Sequence, residues 1–253
     1  MPEDGCRPAS WLRGQRVLVV APHADDETLG CAGTIARVKQ LGGEVYCRVA
    51  SLGGIRQYTR EPAVTVGTSP GEMSFVAGET RRAEFDAVME LLSVDGWDVL
   101  FDDSCHMALD TLPLKQIVDA LERSGDLSLA AVQPTVVLVP ARTFNQDHDA
   151  MFRAGLAATR PQLPVTSRYV PPNVLVYDNG TAYWSDRPDA FDPTLFVDIS
   201  DVLDLKTKAV ALYASQVGSA DSGEDACVTT ARAYGQRIGR EAAEAFQVLR
   251  MTI

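Results

Sequence analysis

Short, almost uninterrupted apolar runs alternate with helix-patterned segments through most of the chain. That alternation limits the fold more than any other feature. Arg16–Ala21, Val45–Ser51, Trp97–Phe101, Thr135–Pro140, Asn173–Asp178 and Leu195–Ser200 read as strands. The first, third and fourth are nearly continuous in apolar residues, as expected of parallel strands covered on both faces. Leu29–Leu41, Glu79–Ser93, Leu114–Ser124 and His148–Thr159 read as helices. In the second of these, Phe85, Val88, Met89 and Leu92 recur at helical spacing and make one apolar face. Strand and helix in alternation mean an α/β fold: a Rossmann-like, mostly parallel sheet flanked by helices. The last third differs. Asp201–Gln216 and Thr229–Arg250 read as two long C-terminal helices, the second striped by Tyr234, Ile238, Ala242, Ala245 and Leu249.

The chain has 253 residues, 46% of them hydrophobic, enough for one large core. It reads as a single domain over 1–253, with 1–12 a flexible N-terminus and 53–78 a substrate loop, because a structureless stretch that long inside a compact domain usually serves binding. A net charge of −11 argues against a non-specific nucleic-acid binder, which needs a basic stripe, and against a polybasic membrane segment. No apolar run reaches the roughly 18 residues that a membrane span requires, and Met1–Ser10 lacks the apolar stretch of a secretory signal. Five scattered cysteines read as reduced thiols, so the expectation is a cytoplasmic protein. A homo-oligomer is left open.

The chemistry concentrates in Pro22-His23-Ala24-Asp25-Asp26-Glu27-Thr28-Leu29-Gly30, between the first strand and the first helix. In open α/β sheets, ligands bind at the carboxyl ends of strands. Three adjacent carboxylates repel one another unless a cation sits among them. Acids in a first helical turn complement the helix dipole, worth about 0.3–1 kcal/mol each; that explains Glu27 and does not explain a histidine before two aspartates at a strand end. Histidine with carboxylate suits a borderline cation such as zinc. The only other histidines, His106 and His148, both follow predicted strands of the same sheet. One His and one acid of the first loop, with His148, would make a two-His-one-carboxylate set that keeps a position for water.

These residues resemble the PIG-L/LmbE-like de-N-acetylases, whose pattern is a strand, then Pro/Ala-His-Pro-Asp-Asp-Glu, then a glycine-rich helix start. Ala24 stands here where Pro is usual. The likeness extends through Arg82-Ala83-Glu84, Asp147-His148, Val197–Ser200 with Lys208-Ala209 and Ser215-Gln216, and Gly239–Phe246. It implies a zinc hydrolase that removes acetyl from an N-acetylated amino sugar of the N-acetylglucosaminyl type. His23, Asp26 and His148 would hold Zn2+, and Asp25 would be the general base. Glu27 would support or cap. One departure matters. The family pattern around the last ligand is His-x-Asp-His, and the first place here is Asn145. Asn can donate a neutral hydrogen bond to an oxyanion but cannot transfer a proton. Either Asn145 keeps that hydrogen bond while Asp25 makes both proton transfers, or His106 enters the site; the plainer expectation for His106 is an exposed loop residue.

Around this centre, Arg56 could hold a sugar hydroxyl or an anionic aglycone, against the plainer reading of a solvated surface arginine, as for Arg60. Asp102 and Asp103 could bind substrate hydroxyls at the same rim. Arg81 and Arg82 open a helix, where positive charge is unfavourable, so one of them needs an acid partner. Asp147 is expected to orient a neighbour. Tyr183 and Trp184 could stack on a sugar or cover a sheet edge. Gly30 and Gly33 lack the rest of a dinucleotide fingerprint and read as close helix–sheet packing. Two rival functions stand beside the deacetylase: a weakly active sugar- or metal-binding homologue, supported by Asn145, and a magnesium-dependent phosphohydrolase built on Asp25, Asp26, Asp102 and Asp103.

Overall fold

The computed structural model describes residues 10–55, 75–76, 78–161, 168–180, 191–217 and 223–252. The strands are β1 Arg16–His23, β2 Glu44–Ser51, β3 Gly54–Ile55, β4 Phe75–Val76, β5 Gly96–Val99, β6 Val136–Pro140, β7 Asn173–Tyr177, β8 Leu195–Asp198 and β9 Ala243–Arg250. The helices are α1 Asp26–Gln40, α2 Gly78–Leu91, α3 Leu114–Arg123, α4 Leu129–Val132, α5 Gln146–Thr159, α6 Leu203–Leu212, α7 Ala214–Val217 and α8 Gly223–Arg237. Among the described residues, no helix is long and apolar enough to cross a membrane.

Among the described residues, seven strands form one sheet in the order β5-β2-β1-β6-β7-β9-β8. The first five in that order run parallel; β9 runs antiparallel to both β7 and β8. Every residue of β6 and β7 is buried, as is all of β1 after Arg16. Helices therefore cover both faces, which is why these runs carry no polar alternation. From β1 the chain moves outward to β2 and β5, then returns to the other side of β1 as β6 and β7. The reversal opens a crevice at the carboxyl ends of β1 and β6, where doubly wound sheets bind ligands.

The pair Gly30 and Gly33 brings α1 onto the sheet. A Cβ on Gly30 would lie 2.3 Å from the Tyr177 ring, and one on Gly33 would lie 2.6 Å from Ile199, so no larger residue fits without moving the helix. A buried ion pair completes the contact. Lys206 Nζ on α6 lies 2.5 Å from Glu244 on β9, and the Glu244 carboxylate accepts the Gly33 and Thr34 N–H groups of α1.

The C-terminal region corrects the expectation of two long helices. Thr229–Arg250 is not one helix: α8 stops at Arg237, Gly239 turns at φ +67°, and β9 enters the sheet. Ala242 to Phe246 are all buried. The buried first half of β9, Ala243–Phe246, shows no period-two pattern, and the strand's Ala, Glu and Leu content reads as helix. Here pairing with β7 and β8 overrides local preference. Asp201–Gln216 is likewise broken, into a 3-10 turn at Ser200–Val202, α6 and α7, with the kink at Tyr213.

Candidate metal centre

His23 is the last residue of β1, and Asp26 begins α1 three residues later. The chain turns between them at Asp25, whose φ of 142° lies in a region that side chains rarely occupy and costs about 1–3 kcal/mol where it is enforced. The turn delivers Asp26 back onto the strand end, where its Oδ2 accepts the His23 N–H at 3.2 Å. His148 comes from the first turn of α5, which Asn145 caps by accepting the Asp147 N–H at 2.9 Å.

Three donors converge. Asp26 Oδ2 lies 3.4 Å from His23 Nδ1 and 3.4 Å from His148 Nε2, and all three side chains are buried. Asp147 fixes the proton on His23: its Oδ2 sits 2.9 Å from His23 Nε2 while the same carboxylate accepts the Met107 and Leu109 N–H groups at 2.7 and 2.9 Å. A carboxylate only accepts, so Nε2 carries the hydrogen and Nδ1 turns its lone pair toward Asp26. Lone pair against carboxylate is repulsive unless a proton or a metal lies between. Burial alone would lower the His23 pKa, but the hydrogen bond to Asp147 and the nearby Asp26 carboxylate raise it to about 9, so without a metal the ring is an imidazolium. Burial would push Asp26 up, yet the nearby imidazoles hold it well below the usual carboxylate range. His148 is lowered, chiefly by burial, and faces Asp26 as a neutral ligand-type imidazole.

These residues fit a metal. Tetrahedral coordination with bonds near 2.0–2.1 Å has donor–donor edges of about 3.3–3.4 Å, the spacing observed from Asp26 Oδ2 to each ring. The donor set is the one zinc accepts, and Asp147 supplies the outer carboxylate such histidines usually have. Among the described residues, two groups have donor atoms close enough to share an ion: His23, Asp26 and His148, and His23, His106 and Asp147. The second is disfavoured because Asp147 is already occupied by three hydrogen-bond donors. Neither group contains Asp25, Asp102 or Asp103, so the four-carboxylate magnesium site is not assembled.

Asp25 is not one of the three donors, and its carboxyl feels the charges of Asp26 and His23. Burial pushes its carboxyl up to about 7, with Arg81 the strongest influence pulling it down. Glu27 is fully buried and serves the loop: it accepts the Asp25 N–H at 3.0 Å, the Thr28 hydroxyl at 2.7 Å and the Tyr213 hydroxyl at 2.6 Å. His106 is half-buried, contrary to the exposed-loop expectation. Its ring meets that of His23 edge-on at 4.6 Å between centroids, and Nδ1 lies 3.3 Å from the Ser51 hydroxyl. Burial lowers its pKa to about 4. The Asn145 amide faces Met107 Sδ at 3.8 Å. Asp102 and Asp103 are exposed, and Asp102 Oδ1 caps its own turn through Ser104 N at 2.8 Å. Arg56, Arg60, Tyr183 and Trp184 lie outside the described residues. The acid partner expected for the arginine pair exists for both: Arg82 pairs with Asp86, and Arg81 faces Asp25 and Glu84.

The sequence matches the PIG-L family, described as GlcNAc-PI de-N-acetylase, over residues 18–159, more than half of the chain. This chain belongs to the PIG-L family. The match spans β1 through α5 and so contains all three converging donors. Among solved structures, the chain is similar to the conserved protein TT1542 from Thermus thermophilus, at 26% identity and TM-score 0.67 over 94% of this chain and 96% of that one. It is also similar to N,N'-diacetylchitobiose deacetylase from Pyrococcus horikoshii, at 22% identity and TM-score 0.67 over 93% and 84%. A third is GalB, the 4-carboxy-2-hydroxymuconate hydratase from Pseudomonas putida, at 19% identity and TM-score 0.66 over 94% and 98%. The last two show a shared fold, and between them that fold carries two chemistries. No curated protein matches the chain.

Sequence reasoning missed Asn179, two residues after β7, whose amide donates to Asp26 Oδ1 and leaves Oδ2 for the two imidazoles. It also missed Tyr213 and Ser51. Asn179 follows a strand of the same sheet, and that position was the available signal.

Proposed function

We propose that this PIG-L family member is a zinc-dependent hydrolase that removes acetyl from an N-acetylglucosaminyl-type conjugate, working in the cytoplasm on a water-soluble substrate. The observation that carries the reading is the convergence of His23 Nδ1, Asp26 Oδ2 and His148 Nε2, with a second carboxylate, Asp25, beside the set and outside it. Zinc held there would lower the pKa of a water towards ~7 and draw charge from the acetamide carbonyl. Every other task falls to the chain. Asp25 takes the proton of the attacking water and returns it to the sugar nitrogen as the C–N bond breaks, giving acetate and a free amine. Asn145, or the His106 ring beside His23, donates a hydrogen bond to the carbonyl oxygen as it gains charge. Asp147 and Asn179 hold His23 and Asp26 in place. The buried thiols Cys31 and Cys47 suit a reducing compartment.

An acetate-release screen over N-acetyl amino-sugar conjugates tests the reading, with Asp25→Asn as control. The native protein should release acetate, and the control should lose about 10²–10⁴ of the rate. Equal rates would remove Asp25 from its role. Water addition to an unsaturated acid without acetate release would place the chain with the hydratase chemistry that the same fold supports.

A further inference from the structure

Arg81 is a wholly buried charged group that the chemistry above leaves unused. It lies in the first turn of α2. Its Nε donates to Leu52 O at 3.0 Å, and Nη2 donates to Ala24 O. Nη2 also faces Asp25 Oδ2 at 3.6 Å. Nη1 is buried without a hydrogen-bond partner, 3.5 Å from Glu84 Oε2. The Tyr213 ring lies 5.4 Å from the guanidinium carbon. The hydroxyl of that ring reaches Glu27, and Glu27 in turn accepts the Asp25 N–H. The carbonyl before Asp25, its N–H and its carboxylate are thus each held, two by Arg81 and one by the Glu27–Tyr213 pair.

A cation at a helix start is locally unfavourable, and a buried one needs compensation on every side. Arg81 finds it in two carbonyls that accept its hydrogen bonds and two carboxylates at 3.5 and 3.6 Å, an arrangement that a planar fork can span and an ammonium cannot. The peptide it grips is the one that enters the positive-φ residue. Without that grip, the Asp25 backbone has reason to relax, and the carboxylate moves with it.

We infer that Arg81 is the positioning residue of the base: together with Glu27 and Tyr213 it holds the Ala24–Asp25 peptide in its strained turn and aims the Asp25 carboxylate across the three metal donors. The inference rests on the reading of Asp25 as general base. Arg81→Lys keeps the charge and loses the fork. Its kcat should fall about 10- to 100-fold, since displacement of a reacting group by about an ångström costs of that order. KM and bound zinc per chain should not change. In an Asp25→Asn background, Arg81→Lys should cost nothing further, because the two act as a unit. An unchanged kcat, a loss confined to KM, or the same loss with Asp25 already removed would overturn the inference. If Arg81→Lys does not fold, Tyr213→Phe carries the test. It removes only the hydroxyl that steadies Glu27 and should lower kcat about tenfold at constant zinc content; an unchanged kcat would overturn the proposal. A crystal structure of either variant decides the geometry without any activity. Asp25 should leave its φ of 142°, and an Asp25 found unmoved would overturn it. Failure of Asp25→Asn to lose activity would refute the functional reading instead, and the crystal structure would still decide the role of Arg81.

Discussion

Two polar regions flank β1 and β2, and they are built oppositely. Between β5 and α3 lies a depression of about 630 Å³, lined by Arg48, Asp98, Phe101, Lys115, Asp119 and Gly125. Its charges are closed upon one another. Arg48 grips Asp98 with two bonds, at 2.9 and 2.7 Å, and spends Nη1 on Ala120 O; Lys115 and Arg123 both hold Asp119. The candidate metal centre leaves its central donors unjoined: two rings stand 3.4 Å from one carboxylate oxygen, too far for good hydrogen bonds and close enough to share an ion. Chemistry is indicated by convergent donors left unsatisfied, and the wide hollow carries no such signal.

Three variants would break or sharpen that contrast. The largest effect is expected from His148→Ala, which removes a central donor. Bound zinc should disappear from the purified protein, measured by elemental analysis, and acetate release should fall to background. Asp147→Asn comes next. It keeps the shape that supports His23 and loses the charge that fixes the ring proton, so zinc affinity should drop about 10- to 100-fold in a competition titration. The smallest effect on function belongs to the other region. Asp98→Ala leaves Arg48 buried beside an empty place. Breaking a fully buried pair costs about 3–5 kcal/mol, and the Asp98 side chain is 33% exposed, so the loss should be about 2 kcal/mol after solvent screening. Denaturant unfolding should show it, with zinc content and turnover per folded molecule unchanged. A turnover defect there would end the contrast.

Much of this is legible in the sequence. Strands buried on both faces declare themselves as apolar runs, so β1 and β6 can be placed within a residue or two, whereas Trp97–Phe101 carries the same kind of run and forms β5, a half-buried edge strand. The His23–Glu27 cluster is visible because acids crowd together at a strand end. The same rule hides β9: its buried first half, of Ala, Glu and Phe, has no period, and helix-forming residues lend it a false one. Sequence also does not show which groups fold inward from afar. Asn179 and Tyr213 reach Asp26 and Glu27 from more than 150 positions away; a place just after a strand is the one local mark of the asparagine, and nothing local marks a tyrosine at a helix kink. His106 misleads for the same reason. A histidine in a turn of exposed aspartates looks solvated until the sheet brings His23 against it.

The sharpest test of the account is an anomalous difference map, recorded at the zinc absorption edge, from crystals grown with one equivalent of zinc per chain. A single peak in bonding contact with His23 Nδ1, Asp26 and His148 Nε2 is the predicted result. A peak on the other side of the His23 ring, between Nε2, His106 and Asp147, or no ordered peak at all, would contradict it.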